Sequence, residues 1–469
     1  MHITLAATHP ARLLILIRAS IESTVEKWAL DSAKMQASLG LIWHLSRRRP
    51  FSACRFIWYA PRSRHGGAMA APHDASELQP NNEAQRLSLL QSARALVNSL
   101  EKPHERIMRM CYHEGAIFTA TKVLIDLGIF KILAEAAEPV PASKLAQDTG
   151  ADRALVERLL KHVAIEFLVD EAGADTYVAN DTTRCFASPG PQGAIEDTFQ
   201  MVRVNSAFPD FLKETNYVNP TDKDKSAWKY AYETDQHFFE YVNSPGRERN
   251  LEAFRNHMQF KTVGLKWYEV PGIMEAAFGD AKVGEEDVLL IDVGGNGGHD
   301  LIGFHEAHPS IPGRLVLQDL PTIIQSLDSD ALARQGIEAM GHDFFTPQPV
   351  HGAKVYYLKM CLHDWPNAQC IQILSQLKLA LKPGYSRILL NEIVIPDEKA
   401  GWFETSVDML MMQVHSAQER REREWVALVD AVGGLRVKHI WDVDGAVEKV
   451  IEIEATREIV HFEVKTQHK

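Results

Sequence analysis

Acids, glycines and a histidine follow successive apolar segments in the carboxy-terminal half of the chain. The first segment, Val288–Val293, contains Asp292 and leads into Gly294 and Gly295. An apolar run that breaks into glycines is typical of a buried parallel strand entering a ligand-binding turn. Glycine allows the backbone to adopt positive φ and to approach a ligand closely. Taken alone, a glycine-rich turn is a weak signal, because many nucleotide-binding enzymes contain one.

Two further segments place residues suited to an adenosine ligand. Leu315–Asp319 ends in an acid about twenty residues after the turn, a spacing that suits ribose hydroxyls. Asp343 and Phe344 combine a carboxylate with an aromatic ring, which suits the amino group and the face of adenine. An acid at Asp300, just past the turn, disfavours a pyrophosphate, which prefers a helix amino terminus free of acids. We therefore expect a cationic or zwitterionic adenosine ligand.

Together these segments resemble the fungal and plant class of S-adenosylmethionine-dependent O-methyltransferases. The resemblance covers roughly residues 80–465. It implies an α/β fold with two parts: an amino-terminal helical winged-helix dimerisation domain, and a Rossmann-like catalytic domain whose mostly parallel sheet has an antiparallel carboxy-terminal edge. The motifs that carry it are Asp292–Gly295, Leu317–Pro321, His342–Phe345, His363–Trp365 and Gly384–Glu392.

The resemblance implies S-adenosyl-L-methionine as the cofactor. One departure is Asn296, which stands where the family usually has a third consecutive glycine. Asparagine tolerates left-handed geometry better than most residues, so we expect the turn to be retained. By similarity the cofactor-binding residues are Gly294 and Gly295 at the methionine moiety, Asp319 and Leu320 at the ribose, Asp343 and Phe344 at the adenine, and Lys359 near the nucleoside.

His363 follows an apolar segment, at the carboxyl end of a predicted strand, where open α/β sheets place their ligands. A phenol has a pKa near 10 and is mostly protonated at neutral pH, whereas histidine titrates near 6.5 and can accept its proton. An isolated histidine after a strand is usually structural. In this motif context we favour His363 as the general base.

A histidine base needs a carboxylate that fixes its tautomer. Glu392 and Glu419 match family positions for this role, and both are predicted to be catalytic. Glu392 follows an apolar strand and is the preferred partner, because the charge run around Glu419 could instead be a solvated helix start. Asp364 is expected to cap the next helix, whose first turn suits Pro366.

Residues 195–275 are rich in aromatic residues and methionine, as a pocket for a small aromatic substrate requires. Much of this content recurs at helical spacing, for which core packing is the simpler explanation of any one residue. Similarity singles out Phe254 and Met258 as substrate-binding residues. Met411 is a third candidate, because thioethers adapt to flat ring systems.

Four segments are predicted along the chain. They are a basic, poorly ordered extension over 1–68, a winged-helix dimerisation domain over 69–190, connecting helices that line the substrate pocket over 191–275, and the cofactor-binding domain over 276–465. In the second segment, helices over 143–147 and 152–163 precede a β-hairpin formed by 167–170 and 176–179. Residues 69–190 carry twelve Lys or Arg against seventeen Asp or Glu. A DNA reader would be basic, so we expect no nucleic-acid partner. The resemblance implies that this domain forms a homodimer.

The extension over 1–68 carries ten Lys or Arg against three Asp or Glu, whereas the whole chain has a net charge of −12. Its apolar run at 13–17 is far shorter than the ~20 residues of a membrane span. Its arginines could indicate an organellar transit peptide, but its acids weaken that interpretation, and we favour a dispensable extension before Met69. The five cysteines of the chain show no close pairing, which favours a reducing, cytoplasmic location. No metal site is expected.

The sequence therefore predicts transfer of a methyl group to a phenolic hydroxyl of an aromatic, polyketide-like secondary metabolite. Two alternatives remain open. The first is a pericyclase or other non-methylating enzyme that uses the sulfonium electrostatically. The second is a non-catalytic dimeric regulator, which the retained cofactor motifs disfavour.

Overall fold

The computed structural model describes residues 83–260, 265–279 and 282–456 of the 469-residue chain. The extension predicted over 1–68 lies outside these residues. Within the described ranges, none of the helices combines the length and the apolar character that a membrane crossing requires. Three successive parts follow one another: a helical amino-terminal part, a set of connecting helices, and an α/β part.

The amino-terminal part is a helical domain with a small antiparallel sheet in the order β1-β3-β2. Its helices surround a core that includes Leu124, Phe130 and Leu160. Helix, helix and hairpin follow one another as in a winged helix, which confirms the expected order. The elements are α1 Glu83–Leu100, α2 Pro103–Tyr112, α3 Glu114–Asp126, α4 Ile129–Glu135, β1 Val140–Pro141, α5 Ala142–Thr149, α6 Arg153–Val163, β2 Asp170–Gly173 and β3 Thr176–Val178.

Local sequence signals predicted the start of α6 correctly and placed the first hairpin strand wrongly. The Asp152 carboxylate accepts the Leu155 N–H at 3.0 Å and caps α6, as predicted. The first hairpin strand, predicted over 167–170, instead spans Asp170–Gly173. Phe167 has a left-handed φ of 56° and ends a short 3₁₀ turn, so the chain cannot be extended at that residue.

The connecting helices pack largely through aromatic side chains. Trp228 lies at the centre of this cluster, with ring contacts to Tyr232, Phe238 and Tyr241. The helices are α7 Asp181–Phe186, α8 Pro189–Phe199, α9 Met201–Glu214, α10 Ala227–Tyr232, α11 Phe238–Val242, α12 Glu248–Phe260 and α13 Pro271–Phe278.

The α/β part is built on one sheet in the order β10-β11-β8-β7-β4-β5-β6, with a short β9 beside β8. Strands β4 to β9 pair in parallel, and β11 joins β8 and β10 in antiparallel fashion. The antiparallel edge predicted near the carboxyl end is therefore confirmed. The elements are β4 Val288–Val293, α14 His299–Ala307, β5 Arg314–Asp319, α15 Pro321–Gln325, α16 Ser329–Arg334, β6 Ile337–Gly341, β7 Val355–Lys359, α17 Asn367–Ala380, β8 Arg387–Ile395, α18 Trp402–His415, β9 Arg420–Arg421, α19 Glu422–Val432, β10 Leu435–Asp442 and β11 Glu448–Ala455.

The central strands β7 and β8 are buried along nearly their whole length, because helices cover both faces of the sheet. Their apolar side chains form two cores, one on each face. Parallel strands end at the same edge of a sheet, so the residues that follow β4, β5, β7 and β8 converge there. This edge carries the candidate site.

Helices α1 and α2 present large apolar side chains to the exterior of the single chain. Leu96, Leu100, Ile107, Met110 and Tyr112 are each more than half exposed. Several large exposed apolar side chains on successive helices are typical of a protein–protein interface. Together with the winged-helix order and its acidic charge, it indicates association with a second copy of the chain.

Leu96→Asp should weaken this association, because it places a charge within the apolar surface of α1. We expect sedimentation velocity at micromolar concentration to show a dimer for the parent protein and mainly monomer for the variant. The matched control is Leu379→Asp on α17, where the leucine is 68 % exposed in the α/β part. A Leu96→Asp protein that sediments like the parent would contradict an interface on α1.

Candidate active site

The turn after β4 brings backbone rather than side chains to the sheet edge. Gly294 has a φ of 78°, and a Cβ there would lie 2.9 Å from Cys361 Sγ. A Cβ on Gly295 would lie 2.6 Å from Leu317 Cδ1. Asn296 adopts a left-handed φ of 49°, as expected where the family usually has glycine. The turn therefore has no room for larger residues at these two positions.

Asp319, at the end of β5, is tied to this turn. Its Oδ2 accepts the Asn296 N–H at 2.8 Å and its Oδ1 accepts the Leu320 N–H at 2.7 Å. Burial raises the pKa of Asp319 above its usual value, although the two backbone hydrogen bonds act in the opposite direction. Each carboxylate oxygen has a further lone pair for a ligand hydroxyl. Leu320 is 43 % exposed beside it, at the amino-terminal cap of α15.

A third feature is a cluster of carboxyl groups near Lys359. Lys359 Nζ lies 3.0 Å from Asp300 Oδ2, and both side chains are largely buried. Burial raises the pKa of Asp292 well above its usual range; Asp300 raises it further and Lys359 lowers it. An environment with more carboxylates than cations favours a positively charged ligand over a phosphate.

Asp343 and Phe344 follow β6 and complete the predicted cofactor set. Asp343 Oδ1 accepts the Phe345 N–H at 3.0 Å, which fixes the carboxylate. A Cβ built on Gly294 would lie 3.7 Å from the Phe344 ring. The structure thus brings the glycine turn and the aromatic ring to the same place at the sheet edge.

His363 lies in a 3₁₀ turn directly after β7 and is 4 % exposed. Its Nδ1 lies 2.6 Å from Glu419 Oε1, and Glu419 is also buried. A carboxylate accepts and does not donate, so Nδ1 carries the hydrogen and Nε2 keeps its lone pair in the neutral ring. The interpretation of Glu419 as part of a solvated charge run is wrong, because its side chain is buried and it precedes α19, which begins at Glu422.

Glu392 on β8 lies beside this pair but does not take the place predicted for it. Its Oε1 accepts the backbone N–H groups of Cys361 and Leu362 at 3.1 and 2.8 Å. Burial raises the pKa of Glu392 to about 7, against the lowering effect of His363. The preference for Glu392 over Glu419 as the hydrogen-bond partner of the ring is therefore wrong, because Glu419 makes that contact and Oε1 of Glu392 binds the backbone turn before His363.

Arg420 holds the turn that carries His363 and was not singled out from the sequence. Its guanidinium is fully buried and donates to the carbonyl oxygens of Leu362 and Trp365 at 3.2 and 2.9 Å. It also donates to Asn367 Oδ1 at 2.9 Å. Since Arg420 directly follows Glu419, one short segment fixes both the carboxylate and the turn that bears the imidazole.

Two buried histidines, His237 and His415, extend the site, and sequence reasoning missed both. His415 Nδ1 lies 3.2 Å from His237 Nε2, and His415 Nε2 lies 3.5 Å from Asp364 Oδ1. Asp364 Oδ1 is also 3.6 Å from His363 Nε2. Asp364 therefore faces histidines and does not cap α17, whose amino-terminal cap is Pro366. For His415, the signal available in the sequence was its position at the end of a methionine-rich helix.

The three predicted substrate-binding residues lie on two helices, α12 and α18. Phe254 packs against Phe238 and Phe239, with centroids 5.8 and 6.0 Å apart, and Phe239 stacks on His415. Met411 is buried on α18, in a cluster with Ile393 of β8. Met258 is half-buried on α12.

His363, Glu392 and Glu419 carry donor atoms that lie within 4.8 Å of one another, a set that could hold a metal ion. The donors are already engaged with one another and with the backbone: His363 Nδ1 bonds to Glu419, and Glu392 Oε1 accepts two N–H groups. Chemically, the set is suited to accepting, orienting and stabilising a proton on the imidazole.

Comparisons with known proteins agree with this geometry. A model of the O-methyltransferase domain matches residues 282–434, and a model of the O-methyltransferase dimerisation domain matches residues 110–189. Demethylsterigmatocystin 6-O-methyltransferase of Aspergillus parasiticus is 34% identical over 314 residues, which is 67% of this chain and 79% of that protein.

Two solved structures are also similar. LepI in complex with S-adenosylmethionine aligns with a TM-score of 0.74 and 31% identity, over 81% of this chain and 96% of that one. A protein described as a pericyclic reaction enzyme aligns with a TM-score of 0.75 and 30% identity, with the same coverage.

The chain belongs to the S-adenosylmethionine-dependent O-methyltransferase family. Its own residues fit that cofactor. The turn at Gly294 and Gly295 has no space for a Cβ, the fixed carboxylate of Asp319 can accept hydroxyls, and the surplus of carboxylates suits a sulfonium and an ammonium group.

His237 should make the protein sensitive to acid. Burial lowers its pKa to about 4, so the unfolded chain binds a proton between pH 6.5 and 4 that the folded chain does not. Stability from this group is complete above pH 6.5 and is lost as the pH falls towards 4. Glu392, whose pKa burial raises to about 7, contributes in the opposite sense as the pH rises from 4.5 to 7.

His237→Phe should therefore reduce the loss of unfolding free energy between pH 7 and pH 4.5 by about 2 kcal/mol. Urea unfolding at the two pH values measures it. The matched control is His439→Phe, at an exposed histidine on β10, which should leave the pH dependence of the parent unaltered. Equal pH dependence in His237→Phe and the control would contradict a buried neutral His237.

Proposed function

We propose that the enzyme methylates a phenolic hydroxyl of an aromatic secondary metabolite and that His363 is its general base. The observation that carries this proposal is the 2.6 Å contact from His363 Nδ1 to the buried carboxylate of Glu419. Because Nδ1 donates to Glu419, the lone pair on Nε2 is the proton acceptor. The resemblance to demethylsterigmatocystin 6-O-methyltransferase supports an aromatic fungal metabolite as the substrate class.

The carboxylates around His363 have different roles in this mechanism. Glu419 fixes the tautomer and stabilises the imidazolium that forms when Nε2 accepts the hydroxyl proton. Glu392 orders the turn before His363 through the N–H groups of Cys361 and Leu362. Burial raises the pKa of Glu392 to about 7. At neutral pH its carboxyl group is therefore only partly ionised, and it adds less than a full negative charge beside Glu419.

The cofactor supplies an activated methyl group on a sulfonium, so the protein must chiefly align it and deprotonate the acceptor. Gly294 and Gly295 would receive the methionine moiety, and Asp319 with Leu320 the ribose. The residues that would hold the adenine and nucleoside are Asp343, Phe344 and Lys359.

The substrate would enter between the connecting helices and the sheet edge. Phe254 belongs to the aromatic cluster that reaches His415 through Phe239. Met411 approaches the same region from α18 beside β8. We propose that these two residues, together with Met258, contact the flat ring system of the substrate.

Asp319→Ala should weaken cofactor binding, because it removes the acceptor for both ribose hydroxyls. Hydrogen bonds to a charged acceptor contribute about 1.5–3 kcal/mol each, so we expect a loss of at least about tenfold in affinity. Isothermal titration calorimetry with S-adenosylmethionine measures it. Asp330→Ala, at an exposed acid on α16, is the control and should bind as the parent does. An unaltered affinity in Asp319→Ala would remove the ribose assignment.

His363→Ala should retain the cofactor and lose turnover by roughly 10²–10⁴-fold, which is the usual contribution of a positioned general base. Glu419→Gln should lose less, since the amide disturbs the tautomer without removing the base. Methyl transfer to a panel of aromatic polyketides, with calorimetry for cofactor binding, measures both. Undiminished turnover in His363→Ala on an accepted phenol would show that this residue does not remove the proton.

A pericyclase activity is the second candidate, favoured by the likeness to a structure described as a pericyclic reaction enzyme. Such an enzyme would use the positive charge of the bound cofactor and would not require a base. Mass spectrometry of the product distinguishes the candidates. Methyl transfer adds one methyl group, a pericyclic reaction yields an isomer of equal mass, and a non-catalytic regulator leaves every compound unaltered.

A further inference from the structure

A row of polar groups leads from the connecting helices to His363 and has no part in the mechanism above. It runs from the Phe239 N–H to His237, then to His415, then to Asp364. All three side chains are largely buried, and His237 stacks flat on Trp365, with ring centroids 4.8 Å apart. We refer to His237, His415 and Asp364 as the histidine row.

When both rings are neutral, the N–H groups along the histidine row all point the same way, from Phe239 towards Asp364. His237 Nδ1 accepts the Phe239 N–H at 3.5 Å, so its hydrogen is on Nε2. That hydrogen points to His415 Nδ1 at 3.2 Å, which puts the hydrogen of His415 on Nε2. His415 Nε2 faces Asp364 Oδ1 at 3.5 Å. Burial lowers the pKa of both histidines, which keeps both rings neutral.

Asp364 Oδ1 is the point at which the row reaches the base. It lies 3.5 Å from His415 Nε2 and 3.6 Å from His363 Nε2. Both distances exceed that of an ordinary hydrogen bond, so the two contacts are electrostatic. The carboxylate is therefore near enough to stabilise a charge on His363 electrostatically.

We propose that His237 and His415 are positioning residues that hold the Asp364 carboxylate beside Nε2 of His363. This proposal rests on the proposed function, in which Nε2 takes the hydroxyl proton. The proton leaves the hydroxyl oxygen, whose electron pair then bonds to the transferred methyl carbon, and His363 gains one positive charge. Glu419 faces that charge at Nδ1, and Asp364 faces it at Nε2.

Other charged groups face the row at its two ends. Lys223, Lys229 and Asp224 act on His237 from the segment before α10 and from α10 itself. Glu392 and Glu419 lie beside His363 from β8 and from the segment before β9. The lysines disfavour a proton on His237, and the carboxylates favour one on His363. This difference keeps the proton at the His363 end.

The test is a double-mutant cycle on the full-length protein. His415→Phe keeps a ring of similar shape and removes the hydrogen bond to His237 and the polar contact with Asp364. We expect kcat to fall about tenfold with little effect on KM. His415→Gln keeps one N–H donor for Asp364 and should recover most of that loss. If His415 acts through Asp364, adding His415→Phe to Asp364→Asn should lower kcat no further than Asp364→Asn alone.

The pH profile supplies a readout that a purely structural role would not move. A misplaced Asp364 stabilises the imidazolium less and lowers the pKa of the base. In His415→Phe the acid limb of kcat should therefore move to lower pH by roughly half a unit to one unit, while its plateau falls. Calorimetry with S-adenosylmethionine verifies folding, and His439→Phe is the control. Should His415→Phe fail to bind cofactor, the cycle is repeated with His237→Phe.

Two results would overturn the positioning role. One is that the losses of kcat in His415→Phe and Asp364→Asn multiply in the double variant. The other is that the acid limb of kcat stays in place in His415→Phe while kcat falls. That failure is distinct from failure of the proposed function, which His363→Ala tests by itself. A strong loss in His363→Ala with independent effects at His415 and Asp364 would leave the base in place and remove only the histidine row.

Discussion

The hydrogen bond between His363 and Glu419 is the interaction on which the rest of the site depends. An imidazole and a carboxylate are both taken out of water, and burial of such a pair is costly unless its geometry is well fixed. The surrounding chain fixes the turn that carries the imidazole. Arg420 holds the carbonyls on either side of the turn, and Glu392 holds its N–H groups. The turn therefore presents one nitrogen of His363, in one tautomer.

The parallel sheet makes this arrangement available. Strands β4, β5, β7 and β8 end at one edge, which places the glycine turn, Asp319 and His363 near one another although they are far apart in the chain. Helices cover both faces, so the strands must be apolar and the polar residues collect where the strands end. Cofactor residues and base thus occupy neighbouring loops on a rigid support.

Electrostatics divides the site into two regions. Around Lys359 and Asp292 the carboxylates outnumber the cations, as suits a sulfonium ligand. Around His363 the carboxylates suit a transient imidazolium. A non-methylating enzyme on this scaffold would require only the first region. The ordered surroundings of His363 are what favour methyl transfer.

Much of the fold and of the cofactor region could be predicted from sequence, because their signals are local. Apolar segments followed by acids, a glycine turn with Asn296, and His363 are read along contiguous residues. The strand expected to end at His363 ends at Lys359, and His363 lies in the 3₁₀ turn that follows. The left-handed φ of Asn296 and the antiparallel edge β10–β11 followed from such patterns and were confirmed.

The partners of His363 could not be predicted with the same success, because they come from distant segments. Glu419 was ranked second since a run of charges predicts exposure, yet it lies buried directly before β9, which pairs with β8. Asp364 was assigned to a helix cap, yet it faces His415 across the space between α18 and the turn. His237 and His415 are 178 residues apart. The sequence by itself determined the strands and the residue types at their ends, whereas the tertiary structure decided which carboxylate meets the base, because that depends on long-range packing.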